Sequence, residues 1–269
     1  ALTISIDAAV VSQAESVTPL LFDVRLSAAS DQAVTVDYTT ADGSATSAGD
    51  YTADSGTLTF NPGVMSLTVP VASTGDAVNE CDETFDLGLT NPAGLSCASV
   101  SIGTPSGTAT INDDDAVEVS VTAPGAGVEG SSFVFTVSLD TVSTQIVTVD
   151  YTTTDGTATS AGDYTATSGT LTFNPGVISL PVSVYSNGDT VNECDETFFL
   201  DLDNSAGVSC GSVSIGDSSD TATIIDDDAV QVSVTAPVAG AEASSFVFTV
   251  TLDTASDQTV TVDYTTTDG

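Results

Sequence analysis

Basic residues are almost missing from this 269-residue chain: Lys and Arg together number one (Arg25), there is no His, and 38 acidic residues set the net charge at −37. Nucleic acid is excluded as a partner, because its phosphates are bound by Lys and Arg. Anionic membrane surfaces are excluded for the same reason. Without His or Lys there is no imidazole base, no Schiff-base amine and no nitrogen metal ligand. No apolar run approaches the ~18 residues that span a bilayer, so membrane insertion is not expected. Ala1-Leu2-Thr3-Ile4 reads as a strand and not as a signal peptide, so any export signal is expected to have been removed or to lie outside this sequence. No Asn stands in an N-x-Ser/Thr acceptor pattern.

What is present is periodic. Val-Thr-Val-Asp-Tyr-Thr-Thr begins at Val34, Val147 and Val260, a constant step of 113 residues. Cys81 and Cys97 recur at Cys194 and Cys210 with the same step, and the Asp113-Asp114-Asp115 run recurs at Asp226-Asp227-Asp228. A period of this length is one β-sandwich domain, too long for a solenoid unit. The expected organisation is a first repeat over 1–115, a second over 116–228, and strands A to C of a third over 229–269.

Within a repeat the pattern is all-β. Leu20, Phe22, Val24 and Leu26 alternate with polar residues, the mark of a half-buried strand, and Arg25 falls on the solvent face. Further strands are expected over 2–6, 34–38, 57–60, 64–71, 84–89 and 108–111, separated by Asn-Pro-Gly and Asp-Gly turn signals. Seven short strands without helical periodicity predict tandem immunoglobulin-like Greek-key β-sandwiches.

In such a sandwich the A–B, C–D and E–F loops and the end of strand G share one pole. In the first repeat that pole receives Glu15, Asp50, Asp76, Glu80, Asp82, Glu83 and Asp113, Asp114 and Asp115. Eight residues are Glu, and seven of them (Glu15, Glu80, Glu83, Glu129, Glu193, Glu196 and Glu242) recur in the A–B and E–F segments. A chain that otherwise uses Asp keeps the longer carboxylate where it can reach an ion. A purely solvated acidic pole is the bland alternative. It explains recurrence by copying, but not the gathering of Glu at one pole. Hard oxygen donors without His select calcium, with magnesium second.

Asp150-Tyr151-Thr152-Thr153-Thr154-Asp155-Gly156, Ala161-Gly162-Asp163-Tyr164, Gly169-Thr170-Leu171-Thr172-Phe173, Asp195-Glu196-Thr197-Phe198 and the closing Asp226-Asp227-Asp228 together resemble the Calx-beta domain. That module occurs in sodium/calcium exchangers and large bacterial surface proteins. The resemblance covers both full repeats and implies a seven-stranded sandwich that binds Ca²⁺ at its loop pole. The ligands it implies are Glu15, Asp50, Asp76, Glu80, Glu83 and Asp113–Asp115 in the first repeat. In the second they are Glu129, Asp163, Asp189, Glu193, Glu196 and Asp226–Asp228. Gly75 and Gly188 stand where calcium-binding members carry an acid, and Cys81 and Cys194 replace another.

Two cysteines per repeat predict one disulfide in each, Cys81–Cys97 and Cys194–Cys210, worth ~3 kcal/mol for a loop of about 17 residues. The segment 95–103 is then expected to fold back to the acidic pole. The implied compartment is oxidising, extracellular or at the cell surface. Catalysis is not expected, since only carboxylate pairs are available and they repeat with every module. Two non-enzymatic roles follow. One is a calcium-stiffened stalk of an adhesin-like array, in which further repeats of the same chain are the partners. The other is a self-assembling filament, a homo-polymer in which a neighbouring chain completes the third repeat.

Overall fold

Strict alternation of Val, Leu, Ile and Phe with Thr, Ser and Asp produces two-faced strands. Each presents one row of side chains to a core and one to water. A computed structural model describes residues 1–7, 11–15, 19–96, 99–208, 210 and 212–268. The chain divides into two compact units. The first is Ala1–Val117 together with Thr141–Ile146 and Gly207–Ser212, and the second is Glu118–Asp140, Val147–Ala206 and Val213–Gly269.

The first unit contains β1 (Leu2–Ile6), β2 (Val11–Ala14), β3 (Leu20–Leu26), β4 (Val34–Asp42), β5 (Ser55–Phe60), β6 (Ser66–Val71), β7 (Val78–Asn79), β8 (Glu83–Ala93), β9 (Val100–Ile102) and β10 (Ser106–Asn112). One sheet has the order β6-β3-β1-β9 and the other β2-β10-β8-β4-β5. Between them lie Ile4, Leu20, Phe22 and Val24 from the first sheet and Val34, Val36, Phe60, Phe85 and Leu87 from the second, all essentially without solvent contact. Burial of each Leu or Phe stabilises the fold by about 1.5–3 kcal/mol. Phe85 is central: the Tyr51 ring stacks on it at 4.2 Å and Phe22 meets it edge-on at 5.8 Å.

The second unit repeats this plan. Its strands are β11 (Val117–Thr122), β12 (Gly127–Val128), β13 (Ser132–Leu139), β15 (Val147–Asp155), β16 (Ser168–Phe173), β17 (Ser179–Tyr185), β18 (Val191–Asn192), β19 (Glu196–Ala206), β20 (Val213–Ile215) and β21 (Ser219–Ile225). They form sheets in the orders β17-β13-β11-β20 and β12-β21-β19-β15-β16. Short β14 (Val142–Ser143) belongs to the first unit, where it pairs in parallel with β7.

The all-β sandwich expected from the sequence is the fold found. Each sandwich also has strands that alternation did not reveal. β2 runs parallel to β10 and β9 runs parallel to β1. Both lie at sheet edges, where a short extra strand satisfies backbone groups that would otherwise be exposed for pairing. Arg25 is on the surface as expected, bridged to Asp7 at 3.3 Å and Asp23 at 3.2 Å.

In residues 229–268 the expected strands A and B pair in the register of β11 and β13, but the expected strand C does not form. β22 (Val232–Thr235) and β23 (Thr249–Leu252) form an exposed antiparallel pair, and β24 (Ala255–Ser256) pairs in parallel with β18. The stretch 260–266 forms no strand. Its counterpart β4 is held between β5 and β8, and no equivalents of those two strands exist among the described residues of this segment.

Candidate metal centre

The acidic pole is positioned by hydrogen bonds that its own sequence supplies. In the β4–β5 connection of the first sandwich, Asp42 Oδ1 accepts from the Tyr51 hydroxyl at 2.6 Å and from the Ser47 N–H at 2.9 Å. Those bonds hold the Asp42 carboxyl below the usual carboxylate range, the tyrosine contributing most. Inside the same loop, Asp50 Oδ2 accepts from Thr46 N–H at 2.7 Å and Thr46 Oγ1 at 3.1 Å. A Cβ at Gly43 would meet the Thr84 carbonyl oxygen at 2.2 Å, so only glycine lets this loop cross the start of β8. Asp155, Tyr164, Asp163, Thr159 and Gly156 reproduce each of these contacts in the second sandwich.

The β6–β8 connection and the end of β10 complete the pole. Asp76 Oδ1 accepts from Val78 N–H at 2.7 Å, and Asp76 N–H donates to Glu15 Oε2 at 3.3 Å. Buried Asn79 donates its amide to the Asp115 carbonyl at 2.7 Å and to Asp113 Oδ2 at 3.3 Å. Asp82 Oδ1 accepts from Asp113 N–H at 3.2 Å. Asn192, with Asp226 and the Asp228 carbonyl, forms the copy.

Among the described residues these contacts gather the carboxylates into four groups whose donor oxygens lie within 4.8 Å of one another. They are Glu15, Asp76 and Asp115; Asp50, Glu80 and Glu83; Glu129, Asp226 and Asp228; and Asp163, Glu193 and Glu196. Two groups thus form in each sandwich. Asp113 sits beside the first pair, close enough for its charge to raise Glu15 and Glu80. Asp189 stands in the same relation to Glu129 and Glu193, and its N–H donates to Glu129 Oε2 at 3.4 Å. Asp114 and Asp227 are exposed and join no group.

Within these groups the carboxylates crowd one another's charge. Burial and then neighbouring Asp and Glu charges push the Glu15, Glu83 and Glu196 carboxyls up to about 7. Glu80, Asp113, Asp115, Glu129 and Glu193 are raised as well, burial again leading in each. Asp113 Oδ1, Glu129 Oε1 and Asp228 Oδ2 are buried oxygens without a hydrogen-bond partner. A buried oxygen left in that condition costs free energy unless a proton or a metal satisfies it. A cleft of about 20 Å³, lined by Glu129, Asp163, Asp189, Glu193, Glu196 and Asp226, has room for one ion-sized sphere. All donors are carboxylate oxygens, the set that suits calcium.

Sequence reasoning missed the supports of this site. Asn79 and Asn192 and Asp42 and Asp155 orient the carboxylates, and so do Asp82, expected at the pole but without this role, and its copy Asp195. The available signal was their exact recurrence at 113 residues, as in the Asn-Glu-Cys-Asp-Glu run at 79–83 and 192–196. The glycine at 188 also has a reason. A Cβ there would lie 3.3 Å from the Gly130 backbone, so the neighbouring loop takes the place of a side chain.

The expected disulfides are not the ones formed. Cys81 bonds to Cys210, across 129 residues, and Cys194 is free and exposed. Cys97 lies outside the described residues. The cause is the length of β8. Its 11 residues carry the chain about 35 Å from Glu83 at strand rise. At the far end Ser96 bonds to Gln32, through N–H at 3.2 Å and Oγ at 3.0 Å. Ser96 therefore lies at the pole opposite Cys81, and the described residues after β8 do not fold back to it. β19 likewise runs 11 residues away from Cys194.

Sandwich and donor groups define a tandem array of acidic, metal-binding β-modules. The Calx-beta domain model matches residues 1–117 and 112–229, and the chain belongs to the Calx-beta family. It is 33% identical over 187 residues to sodium/calcium exchanger 1 of Canis lupus familiaris and of Cavia porcellus. The match covers 63% of this chain and only 19% of the exchangers' length. Among solved structures, CBD12 from CALX1.2 aligns at 20% identity and a TM-score of 0.41, covering 82% of this chain and 99% of that one. The apo-form Calx CBD1 domain aligns at 27% identity and 0.39, covering 42% and 98%.

Proposed function

We propose that this chain is a calcium-binding structural segment of an extracellular protein, in which each of the four carboxylate groups holds one Ca²⁺. The observation that carries this reading is the pair of three-carboxylate groups in each sandwich, with buried, unpartnered oxygens and no basic residue to neutralise them. Glu15, Asp76 and Asp115, with Asp113 beside them, would hold one ion in the first sandwich. Asp50, Glu80 and Glu83 would hold the other. In the second sandwich the holders are Glu129, Asp226 and Asp228, and Asp163, Glu193 and Glu196, with Asp189 beside both groups. Bound calcium would neutralise the clustered charge and clamp the β4–β5 and β6–β8 connections to the end of β10. The Cys81–Cys210 bond supports an oxidising, extracellular or cell-surface location.

The role favoured is that of a stalk, in which calcium stiffens successive modules. The Asp113–Asp115 run supports this, because it leads into β11 without a Gly/Ser spacer. A filament subunit is the second reading, favoured by the exposure of Val234 (66%) and Tyr264 (92%), apolar surface that a neighbouring chain could cover. Catalysis forms no part of either.

Calorimetric titration of chelator-treated protein with calcium tests the reading. The expected result is four ions per chain, with affinities of about 10⁻⁴–10⁻³ M, the range of extracellular modules. No heat and no change in melting temperature would leave only a solvated acidic surface. Small-angle scattering with and without chelator tests the stalk, and an unchanged maximum dimension counts against it. Long uniform fibres in electron micrographs would favour the filament.

A further inference from the structure

The 113-residue repeat that copies the Asn-Glu-Cys-Asp-Glu run also copies the disulfide site, and its second copy lacks only the partner cysteine. Cys194 is the counterpart of Cys81, and Cys210 is the counterpart of Cys97. The bond found, Cys81–Cys210, therefore joins a first-type cysteine of one repeat to a second-type cysteine of the next. It is a link between repeats, and not a brace within one.

The surroundings of Cys81 explain why. β14 pairs in parallel with β7, immediately before Cys81. Ser143 Oγ donates to Asn79 Oδ1 at 2.9 Å, Thr144 N–H donates to the Asn79 carbonyl at 3.0 Å, and Gln145 N–H donates to Ser143 Oγ at 3.0 Å. The Gln145 side chain then grips the incoming cysteine by its backbone. Its Nε2 donates to the Cys210 carbonyl at 3.1 Å and its Oε1 accepts from Cys210 N–H at 3.2 Å, while Nε2 also reaches the Glu80 carbonyl at 3.3 Å. Sequence-independent contacts to both backbone groups of Cys210 hold that residue against Cys81.

The same apparatus stands beside Cys194. β24 pairs in parallel with β18. Ser256 Oγ donates to Asn192 Oδ1 at 3.1 Å, Asp257 N–H donates to the Asn192 carbonyl at 3.2 Å, and Gln258 N–H donates to Ser256 Oγ at 3.0 Å. Gln258 is the copy of Gln145, and its Nε2 donates to neighbouring Asp257 Oδ1 at 2.8 Å. Two independent observations thus meet at this point: an exposed thiol, and a docked segment carrying the glutamine that clamps the partner cysteine in the first copy.

We propose that Cys194 is one half of a second inter-repeat disulfide. Its partner is a cysteine carried by a segment like Gly207–Ser212 of a further Calx-beta repeat, and Gln258 is the residue that positions it. The chemistry is thiol–disulfide exchange or oxidation. Two thiols lose two protons and two electrons to a small-molecule disulfide, which leaves as two thiols. Repeated along an array, the first-type cysteine of each sequence repeat would be bonded to the second-type cysteine of the next repeat. The charge-dense modules would then stay joined even when calcium is withdrawn. This inference does not depend on metal binding.

A peptide with the sequence of residues 206–215, joined through its cysteine to glutathione as a mixed disulfide, provides the test on the 269-residue chain. Attack by the Cys194 thiolate on this reagent releases either glutathione, leaving a Cys194–peptide bond, or the peptide, leaving a Cys194–glutathione bond. Mass spectrometry reads the ratio. The expected ratio in native protein exceeds that in urea-unfolded protein by about fivefold or more, the worth of one or two net hydrogen bonds from the amide clamp. Gln258→Ala should bring the native ratio down to the unfolded value. Gln258→Glu, which keeps the acceptor and loses the donor, should fall between. Cys194→Ser should give neither adduct at that site. Equal ratios in native and unfolded protein, or a native ratio untouched by Gln258→Ala, would overturn the proposal.

Discussion

The Asn79 side chain is buried, and its amide donates to the backbone carbonyl of Asp115 at 2.7 Å. One buried amide thus ties the β6–β8 connection to the Asp run that follows β10, and so sets the spacing between Asp76 and Asp115. Asn192 does the same for Asp228 at 2.6 Å.

Asn79→Ala removes that tie, leaving the Asp115 carbonyl without this donor and the Ser143 hydroxyl without its acceptor. The expected loss is about 1–3 kcal/mol of stability, read as a lower urea midpoint. Calcium affinity of the Glu15–Asp76–Asp115 group should fall, while the Asp163–Glu193–Glu196 group should titrate unchanged. Equal weakening of both would point to general unfolding instead of local loosening.

Removal of calcium should lower the melting temperature. At free calcium tenfold above its dissociation constant, each occupied site stabilises the fold by about 1.4 kcal/mol by mass action. The shift should grow with the logarithm of calcium concentration. Glu83→Gln and Glu196→Gln should each remove one ion from the stoichiometry.

The pH dependence of the calcium-free protein should run opposite to that of most acidic proteins. Glu15, Glu83 and Glu196 hold their protons up to about 7 in the fold, against 4.5 in an open chain. Between those values the folded state binds more protons than the unfolded state, so stability falls as pH rises. The contribution is complete below 4.5 and is lost as pH climbs through about 7. Melting temperatures in chelator should therefore decline across this window. Calcium must displace the same protons, so its affinity should rise with pH and its binding should release protons into a weakly buffered solution. A chelated protein that gains stability over the window would contradict this.

Tyr51→Phe keeps the ring stacked on Phe85 and deletes only the hydroxyl bond to Asp42. A cost of about 0.5–1.5 kcal/mol is expected, with Asp42 moving up toward the ordinary carboxylate range. Because Asp42 also holds Ser47 N–H in the loop that carries Asp50, calcium affinity at Asp50, Glu80 and Glu83 should fall several-fold. Carboxyl titration by NMR and calorimetry read the two effects.

Peptide mapping without reduction should yield a fragment joining Cys81 to Cys210, with Cys194 open to alkylation. Cys81→Ser should remove the cross-link that closes 129 residues. In the chain-entropy model such a loop is worth up to about 5 kcal/mol, so a clear drop in melting temperature is expected. Recovery of a Cys81–Cys97 fragment would contradict the structure.

The sequence by itself determined the sandwich, the 113-residue repeat and the pole at which the acids meet. Strand alternation is written in the order of residues such as Leu20, Phe22, Val24 and Leu26, and an antiparallel sandwich dictates which loops share an end. Only the tertiary structure sorted those acids into two groups per module, because Glu80 and Asp76 are near neighbours in sequence yet join different groups. The buried Asn79 was invisible for a related reason, since a polar residue in a loop is ordinarily solvated. The disulfide pairing also needed the fold. A repeat makes Cys97 and Cys210 equivalent in sequence, so spacing cannot choose between them. The choice came from an 11-residue strand that carries the chain away from Cys81, and from a glutamine amide that holds Cys210 beside it.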